Sequence, residues 1–301
     1  MMRNSKAKKL VTHNGSFHAD DIFATATLSL MLEKEGEKFE IIRTRDEEVI
    51  KDGDYVFDVG GIYDAGKNRF DHHQVGGSGK RENGIEYASV GLVWKKFGIN
   101  LCGTEEAVGI IDRRLVAPVD AGDNGIDLVE KKHEIFPYFI QDFFRVMRPT
   151  WKETDLRVDE MFLKCVEVAK EILQREIAHA EDAVLANQSI VLIYQNTEDK
   201  RVIVFDKNYD SADILNKLPE ALFVVYPREA DGFWGVKAIR KDSKSFDNRK
   251  NLPKSWAGLM NENLQKITGV NDSVSCHRGL FMAVAKSKEG AIALAQKALG
   301  E

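Results

Sequence analysis

The feature that most restricts the fold of this chain is a set of aspartate and histidine residues placed at the ends of short apolar runs. Four segments share it: residues 12–21 (THNGSFHADD), 56–61 (VFDVGG), 70–74 (FDHHQ) and 118–125 (PVDAGDNG). In α/β folds, ligand sites form where the carboxyl ends of parallel strands meet at one edge of the sheet. We therefore expect these segments to converge on a polynuclear metal site.

The N-terminal half alternates strand-like and helix-like segments. Residues 9–12, 39–43 and 55–59 are predicted strands, whereas residues 22–35, 87–97 and 104–117 have the spacing of helices. This alternation predicts crossover connections and a mainly parallel sheet flanked by helices, which is the α/β class.

A long amphipathic segment over residues 155–186 separates this half from the rest of the chain. It predicts a domain at residues 1–155, a connecting helix at 156–187 and a smaller α+β domain at 188–301. The strands predicted after the long helix are 189–194, 201–205, 223–226 and 234–239.

Composition narrows the classes of protein. Apolar residues make up 43% and charged residues 30% of the 301 positions, as in ordinary globular proteins, and a net charge of -5 argues against a nucleic-acid coat protein. Three scattered cysteines predict a reducing compartment. We expect a cytoplasmic protein without a membrane partner, because neither a signal peptide nor a long apolar span is visible.

The mixture of donors in the four segments is suited to two cations. Metal-assisted hydrolysis requires ligands that hold two cations roughly 3.5–4 Å apart and leave room for water and substrate. A lone histidine is usually a structural polar residue, but four of the seven histidines here stand beside aspartates in two segments. The predicted metal ligands are His13, His18, Asp20, Asp58, His72 and Asp120.

These segments resemble the motifs of the DHH phosphoesterase superfamily, and most closely those of its melanocyte-proliferating-gene branch. The later stretches FWGVKAIRKD, FDNRKNLPKSWAGL and SCHRGLF extend the resemblance over nearly the whole chain. The resemblance implies a DHH-type catalytic domain with a second, substrate-binding domain. It also implies a metal-dependent phosphodiester hydrolase in which a water activated by two metals is the nucleophile. The implied substrate is single-stranded RNA or a short oligonucleotide, cut by a 3′-to-5′ exonuclease.

The resemblance also assigns roles to individual residues. It gives His13, His18 and Asp58 to one metal, and gives the second metal the set Asp20, Asp58, His72 and Asp120. Asp71 would orient a histidine. His73 would face the substrate phosphate or donate a proton to the leaving group, which makes Asp71 and His73 the predicted catalytic pair.

One position departs from the superfamily pattern, because His18 stands where an aspartate is usual and the spacing is one residue longer. The extra imidazole shifts the metal preference of the site from purely hard cations towards Mn²⁺, Co²⁺, Fe²⁺ or Zn²⁺. Mn²⁺ is the first choice by resemblance, and Mg²⁺ remains open. Asp21 replaces Asp20 if the register differs, although helix capping is its expected role. Asp64 and Asp123 are reserve candidates, interpreted as turn residues or as residues behind the ligands.

Two segments of the second domain are predicted to contact substrate. Arg278 offers a planar fork for phosphate and His277 a further donor, although the same segment also fits a turn before a strand. Arg240 and Arg249 belong to a long basic loop flanked by tryptophans, a composition that suits single strands but also an ordinary solvated loop.

Two alternatives to an exonuclease remain at this stage. The first is a small-molecule phosphatase or pyrophosphatase of the DHH type, and the second is a metal-binding regulatory protein without turnover. The sequence leaves open the polarity of cleavage, the choice of RNA over DNA, the native metal and whether the chain forms a homodimer.

Overall fold

A computed structural model describes residues 6–130, 133–153, 157–209, 212–242 and 245–301. The chain divides into two units, residues 1–181 and residues 182–301, which we call unit 1 and unit 2. The domain boundary predicted between residues 155 and 156 lies outside the described residues. The two units are treated separately below.

Unit 1 contains a five-stranded sheet in the order β2-β1-β3-β5-β4. The interior strand β1 (Lys8–Thr12) runs parallel to β2 (Phe39–Arg43) and β3 (Tyr55–Phe57), and β5 (Arg69–Phe70) runs parallel to β3. The edge strand β4 (Tyr63–Asp64) is antiparallel to β5. The predicted mainly parallel sheet is therefore confirmed, and the carboxyl ends of β1, β3 and β5 share one edge.

Helices surround this sheet. The first helix is buried continuously from Ala19 to Leu32, because other elements cover it on all sides, and it ends at Gly36 with φ 71°. Glycine adopts this left-handed conformation without steric cost. The helices of unit 1 in chain order are α1 (Ala19–Glu35), α2 (Glu47–Lys51), α3 (Ser89–Cys102), α4 (Glu105–Ile111), α5 (Ala117–Asp123), α6 (Ile140–Val146) and the start of α7 (Val158–Asn196).

The segment from α4 to α5 differs from its prediction. The helix was expected to end at Ala117, with the following aspartates after a strand-like run, but this is wrong. A π-helical turn, Asp112–Val116, connects α4 directly to α5, and Pro118 lies in the first turn of α5. Proline is tolerated there because the N–H that it lacks has no partner within the helix. Asp120 and Asp123 therefore lie three residues apart on one helix.

Unit 2 contains a second five-stranded sheet, in the order β6-β7-β8-β10-β9. Only its first pair, β6 with β7, is parallel among the described strands. This confirms the predicted α+β unit. Its elements are β6 (Val202–Val204), α8 (Ala212–Leu215), β7 (Phe223–Pro227), β8 (Trp234–Ala238), α9 (Asn261–Thr268), β9 (Ser273–Cys276), β10 (Met282–Ala285) and α10 (Lys288–Gly300).

The strand predicted at residues 189–194 is wrong, because α7 continues as a helix through this segment to Asn196. Ile190, Ile193 and Tyr194 follow the i, i+3, i+4 spacing of one helix face, and this face packs on a core that includes Phe205. A short apolar run does not by itself separate strand from helix. Among the described residues, no helix is both long and apolar enough to cross a membrane.

Candidate metal centre

Three strands of unit 1 deliver the predicted ligands to one edge of the sheet. His13 directly follows β1, Asp58 directly follows β3, and the triplet 71–73 directly follows β5. Because these strands are parallel and adjacent, the three segments leave the sheet side by side. The parallel pairing of the strands therefore brings together residues that are 13 to 60 positions apart in the chain.

Asp58 lies at the centre of the cluster. One carboxylate oxygen, Oδ2, is 3.1 Å from His13 Nε2, and the other, Oδ1, is 3.4 Å from His72 Nε2. Its backbone has φ 55°, in the left-handed region that few residues other than glycine, asparagine and aspartate adopt. This conformation turns the side chain out of the strand direction, so that the carboxylate lies between the two histidines.

The donor atoms fall into three groups, and the atoms of each group lie within 4.8 Å of one another. Asp58 is common to two groups and His72 is common to two. The groups are His13 with His18 and Asp58, Asp58 with His72 and His73, and Asp20 with His72 and Asp123. This arrangement is the one expected when a bridging carboxylate serves two neighbouring cations.

Two buried carboxylates fix the start of α3. The Oδ1 and Oδ2 atoms of Asp20 accept hydrogen bonds from Val90 N and Ser89 N at 2.7 and 3.2 Å, and Asp120 Oδ1 accepts from Gly91 N at 3.0 Å. The helix has no capping side chain of its own at Ala88. Its first-turn N–H groups are therefore satisfied by acids from α1 and α5, which lock these helices together.

Asp120, a predicted ligand, is not in any of the three donor groups. Its second oxygen, Oδ2, lies 2.6 Å from Nη1 of Arg81, a buried side chain that also binds Asp112 through two hydrogen bonds of 2.9 and 2.7 Å. A Cβ on Gly91 would lie 2.0 Å from the same oxygen, so α3 approaches Asp120 as closely as a glycine permits. The carboxylate of Asp120 is thus engaged within the protein.

Asp123, the reserve candidate, stands where Asp120 was expected. Its Oδ2 is 3.2 Å from His72 Nε2, and it completes the group with Asp20. Asp120 and Asp123 lie on neighbouring rows of α5, so one turn of helix decides which of them faces the histidine. The other reserve residue, Asp64, caps a 3-10 turn by accepting from Lys67 N and is outside the donor groups.

Asp21 has two roles. Its Oδ1 accepts a hydrogen bond of 2.8 Å from His18 N at the start of α1, as expected of a capping residue. Its Oδ2 lies 3.3 Å from His13 Nε2. It therefore orients both the helix that carries Asp20 and the histidine that faces Asp58.

Burial and neighbouring charges shift the pKa values of Asp20, Asp58 and His72 in different ways. Burial strongly raises the pKa of Asp20, and the charges of Asp58 and Asp123 raise it further. Although burial opposes it, the histidines beside Asp58 hold the pKa of that carboxyl far below its usual value. Burial lowers the pKa of His72, but the carboxylates of Asp123 and Asp58 outweigh this effect and raise it to about 11. The carboxylates of the cluster thus favour positive charge at this edge of the sheet.

The buried donor atoms fit divalent cations. Asp21 Oδ2, Asp58 Oδ1 and His72 Nε2 are buried without a well-aligned hydrogen bond in the described residues. Asp58 Oδ1 and His72 Nε2 lie 3.4 Å apart, and Asp21 Oδ2 lies 3.3 Å from His13 Nε2. Buried polar atoms are otherwise nearly always paired, because an unpaired one costs roughly 1–3 kcal/mol. A mixture of imidazole nitrogens and carboxylate oxygens that point to shared positions is a metal-binding donor set.

The predicted catalytic pair is held at the rim. Asp71 accepts hydrogen bonds from Gly61 N at 2.6 Å and from His73 N at 3.1 Å, and its Oδ1 lies 2.7 Å from His73 Nδ1. The His73 side chain is 62% exposed. Asp71 therefore fixes the ring through Nδ1 and leaves Nε2 available on the outer side.

A cleft of about 770 Å³ opens over these residues, and we call it the metal cleft. Its floor carries metal-binding candidates, and the exposed side chain of Arg45 adds a cation that sequence analysis did not single out. Its lining residues are His13, Ser16, His18, Arg45, Asp58, Val59, Gly60, Gly61, Asp71, His73, Gly122 and Asp123.

The side chains of unit 2 that were predicted to bind substrate differ in whether their hydrogen-bond donors are already engaged within the protein. His277 and Arg278 are exposed, and within the described part of the chain the Arg278 side chain has no polar partner. Arg240 lies 4.7 Å from the ring centroid of Phe246. The guanidinium of Arg249 donates to the carbonyl oxygens of residues 216, 218 and 221, so its donors hold a loop of unit 2 in place.

Comparison with known proteins places the chain in a family. A family model named MYG1_exonuc, described as "Uncharacterised protein family (UPF0160)", matches residues 9–299. The chain belongs to this family. It is 29% identical to the MYG1 exonuclease of Homo sapiens over 327 residues, covering 97% of this chain and 86% of that protein. It is 30% identical to a MYG1 protein of Chlamydia pneumoniae over 292 residues, covering 94% and 93%.

A solved structure of the exonuclease RecJ bound to manganese aligns with 97% of this chain and 89% of its own, at 12% identity and a TM-score of 0.27. Family membership confirms the resemblance that the motifs indicated. It also confirms the prediction of an enzyme, a metal-dependent hydrolase of the exonuclease kind. The donor groups described above are candidates for a divalent-metal site.

Proposed function

We propose that this protein is a 3′-to-5′ exonuclease that hydrolyses single-stranded RNA or short oligonucleotides with two divalent ions, Mn²⁺ being the first choice. The observation that carries the proposal is Asp58, which lies between His13 and His72 with each oxygen directed to a different histidine. Relatives named MYG1 exonuclease, aligned over almost the whole chain, support the substrate class.

The proposed ligands follow from the donor groups. His13, His18 and Asp58 would hold one ion, whereas Asp20, His72 and Asp123 would hold the other. Asp58 would reach this second ion as well, because its Oδ1 lies 3.4 Å from His72 Nε2. Such ions, when bound, activate water and neutralise the charge of a phosphodiester. We give Asp120 a positioning role in place of metal contact. Its contacts with Arg81 and Gly91 hold the helix that carries Asp123.

His73 is the proposed general acid or phosphate contact. Asp71 holds its Nδ1, which leaves Nε2 free to give a proton to a leaving oxygen in the metal cleft that His73 lines. His277, Arg278 and Arg240 of unit 2 remain proposed substrate contacts, and they are donors suited to phosphate oxygens. Arg249 is proposed as a structural residue, since its guanidinium is bound to carbonyl oxygens.

The decisive experiment is cleavage of an end-labelled single-stranded RNA with added Mn²⁺. With a 5′ label, a 3′-to-5′ exonuclease gives a ladder of shortening products, whereas a 3′ label is released at once as a mononucleotide. A DNA strand of the same sequence measures the preference for RNA. Mg²⁺, Co²⁺ and Zn²⁺ in place of Mn²⁺ test the choice of metal.

Asp58→Asn is the matched inactive variant, because asparagine also tolerates the left-handed backbone at this position. Asp64→Asn makes the same change of charge outside the donor groups and should retain activity. Intact RNA in the presence of confirmed bound metal would contradict the nuclease proposal. Turnover of pyrophosphate or small phosphomonoesters would then indicate a phosphatase of the same type.

A further inference from the structure

A second cavity lies beside the metal cleft in unit 1, and none of the roles assigned so far uses it. Its volume is about 220 Å³, and it shares His18, Gly122 and Asp123 with the cleft. The two cavities therefore adjoin across candidate metal ligands. On its other side the small cavity is lined by residues of α6 and the turn after it, including Gln141, Asp142, Arg145 and Arg148.

Arg148 is the unpaired cation of this cavity. Its Nε is buried and has no hydrogen-bond partner in the described part of the chain, and its guanidinium carbon lies 5.7 Å from the ring centroid of Phe17. Burial lowers the pKa of this guanidinium, and the negative charge of Asp21 opposes that shift. A buried donor without an acceptor in a native protein requires an explanation, and a missing ligand is one.

The other charged groups of the cavity already have partners. The Arg145 guanidinium lies 2.8 Å from Asp142 Oδ1, and Asp142 Oδ2 accepts a hydrogen bond of 3.0 Å from Phe139 N. Asp20 and Asp123 belong to the donor groups of the metal centre, so bound cations would balance their charge. Arg148 therefore remains as the cation to which an anion could bind.

The walls of the cavity are held in position. Gln141 donates a hydrogen bond of 2.9 Å to Pro118 O, which joins α6 to α5. A Cβ on Gly122 would lie only 2.4 Å from Gln141 Nε2, so the two helices pack as closely as this glycine allows. The opening between Arg148 and the candidate metal ligands is thus set by packed helices.

We propose that Arg148 binds a second phosphate of the substrate, next to the phosphate that is hydrolysed at the metal centre. This inference rests on the proposed function. The cavity is smaller than the roughly 300–1,000 Å³ of typical small-molecule sites, so it has room for a phosphate group and not for a whole nucleotide. The planar guanidinium matches two phosphate oxygens. The second phosphate can be an internucleotide phosphate or a terminal one.

Three short RNA substrates distinguish these sources. A dinucleoside monophosphate has a single phosphate, the same dinucleotide with a terminal phosphate has a second one at its end, and a trinucleotide with hydroxyl ends has a second internucleotide phosphate. We expect Arg148→Ala to lower kcat/KM about 10- to 100-fold on a two-phosphate substrate, because one charged hydrogen-bonding contact is lost. The single-phosphate substrate should be cut at nearly the wild-type rate.

Two variants act as controls. Arg148→Lys keeps the charge without the fork and should restore part of the loss. Arg114→Ala removes an exposed guanidinium that lies outside the lining of both cavities and should leave all three rates unchanged. If only the terminally phosphorylated dinucleotide is affected by Arg148→Ala, the cavity binds an end phosphate; if only the trinucleotide is affected, it binds the chain.

A binding measurement tests Arg148 without relying on turnover. In the inactive Asp58→Asn background a fluorescent single strand stays intact, and its affinity with and without Arg148→Ala can be measured against salt concentration. Loss of one phosphate contact should weaken binding and reduce the slope of log K against log salt by about 0.7, whereas Arg114→Ala should not.

The outcomes separate the two proposals. Wild-type protein that binds the single strand but cuts none of the RNAs would overturn the proposed function alone, and the salt slope would still decide the role of Arg148. Arg148→Ala that matches wild type in rate and in salt slope would overturn the inference alone. Equal losses on all three substrates would also overturn it, because Arg148 would then act on the metal centre itself.

Discussion

Buried charge is distributed very unevenly between the two units. The buried aspartates in the described residues all lie in unit 1, whereas the buried polar residues of unit 2 are Thr268 and Ser273. Thr268 is satisfied locally, since its hydroxyl donates to Leu264 O at 2.8 Å and accepts from Val270 N at 3.1 Å. The aspartates of unit 1 are Asp20, Asp21, Asp58, Asp71 and Asp120.

This difference indicates that the core of unit 2 contributes to stability, whereas the buried acids of unit 1 are placed for chemistry. Unit 2 buries an apolar core that includes Phe223, Val225 and Trp256, which gains free energy simply by leaving water. Unit 1 buries carboxylates whose charged forms are disfavoured by burial. Such a local conflict is expected at functional sites, and a bound cation would relieve it.

The largest effect on stability is expected in the apolar core of unit 2. Phe223→Ala should lower the free energy of unfolding by about 3–5 kcal/mol, because it leaves a cavity at a fully buried position. Chemical denaturation measures this change. Phe246→Ala removes the same ring from a position that is 86% exposed and should cost little. A loss of Mn²⁺ affinity in the Phe223 variant would contradict the division of roles between the units.

Asp123→Asn and Asp120→Asn test the ligand assignment. We expect Asp123→Asn to weaken metal binding by more than about 100-fold, because changes to residues behind the ligands already cost roughly 10- to 100-fold. Asp120→Asn should mainly destabilise the fold, since it weakens the contact between Arg81 and the one buried acid that it pairs with. Calorimetric Mn²⁺ titration and thermal melts of both variants measure the two effects. The reverse pattern would restore Asp120 as the ligand.

Metal removal should affect unit 1. Mn²⁺ at 100 times its dissociation constant should raise the free energy of unfolding by about 2.7 kcal/mol relative to protein in chelator, because it binds the folded state. Hydrogen exchange should locate the added protection in segments that carry the donor groups, such as the residues after β1 and β3. Protection confined to unit 2, or none at all, would count against the site.

The smallest effect is expected at a helix end that has no part in the chemistry. Thr104 caps α4 by accepting a hydrogen bond of 3.2 Å from Ala107 N. Thr104→Ala should cost about 1 kcal/mol of folding free energy. Nuclease rates measured well below the melting temperature should not change. A large rate loss would mean that α4 controls the metal centre through the adjoining π-helical turn.

The parallel sheet and the polar residues at its strand ends could be predicted, because residue type and hydrophobic periodicity can be read from short stretches of sequence. His13, Asp58 and His72 each follow an apolar run, and the run fixes both the strand and the position of the polar residue at its end. Parallel pairing then brings these ends together. The strand predicted at residues 189–194 was wrong because a short apolar run is compatible with either helix or strand until its packing partners are known.

The choice between Asp120 and Asp123, and the unpaired state of Arg148, could not be predicted in the same way. Both aspartates belong to one motif, but the partner of each depends on the rotation of α5 against α3, and a close approach at Gly91 sets that rotation. The sequence by itself determined the types of donor and the strand ends that carry them. Only the tertiary structure decided which donors meet, because that depends on distances between helices that are far apart in the chain.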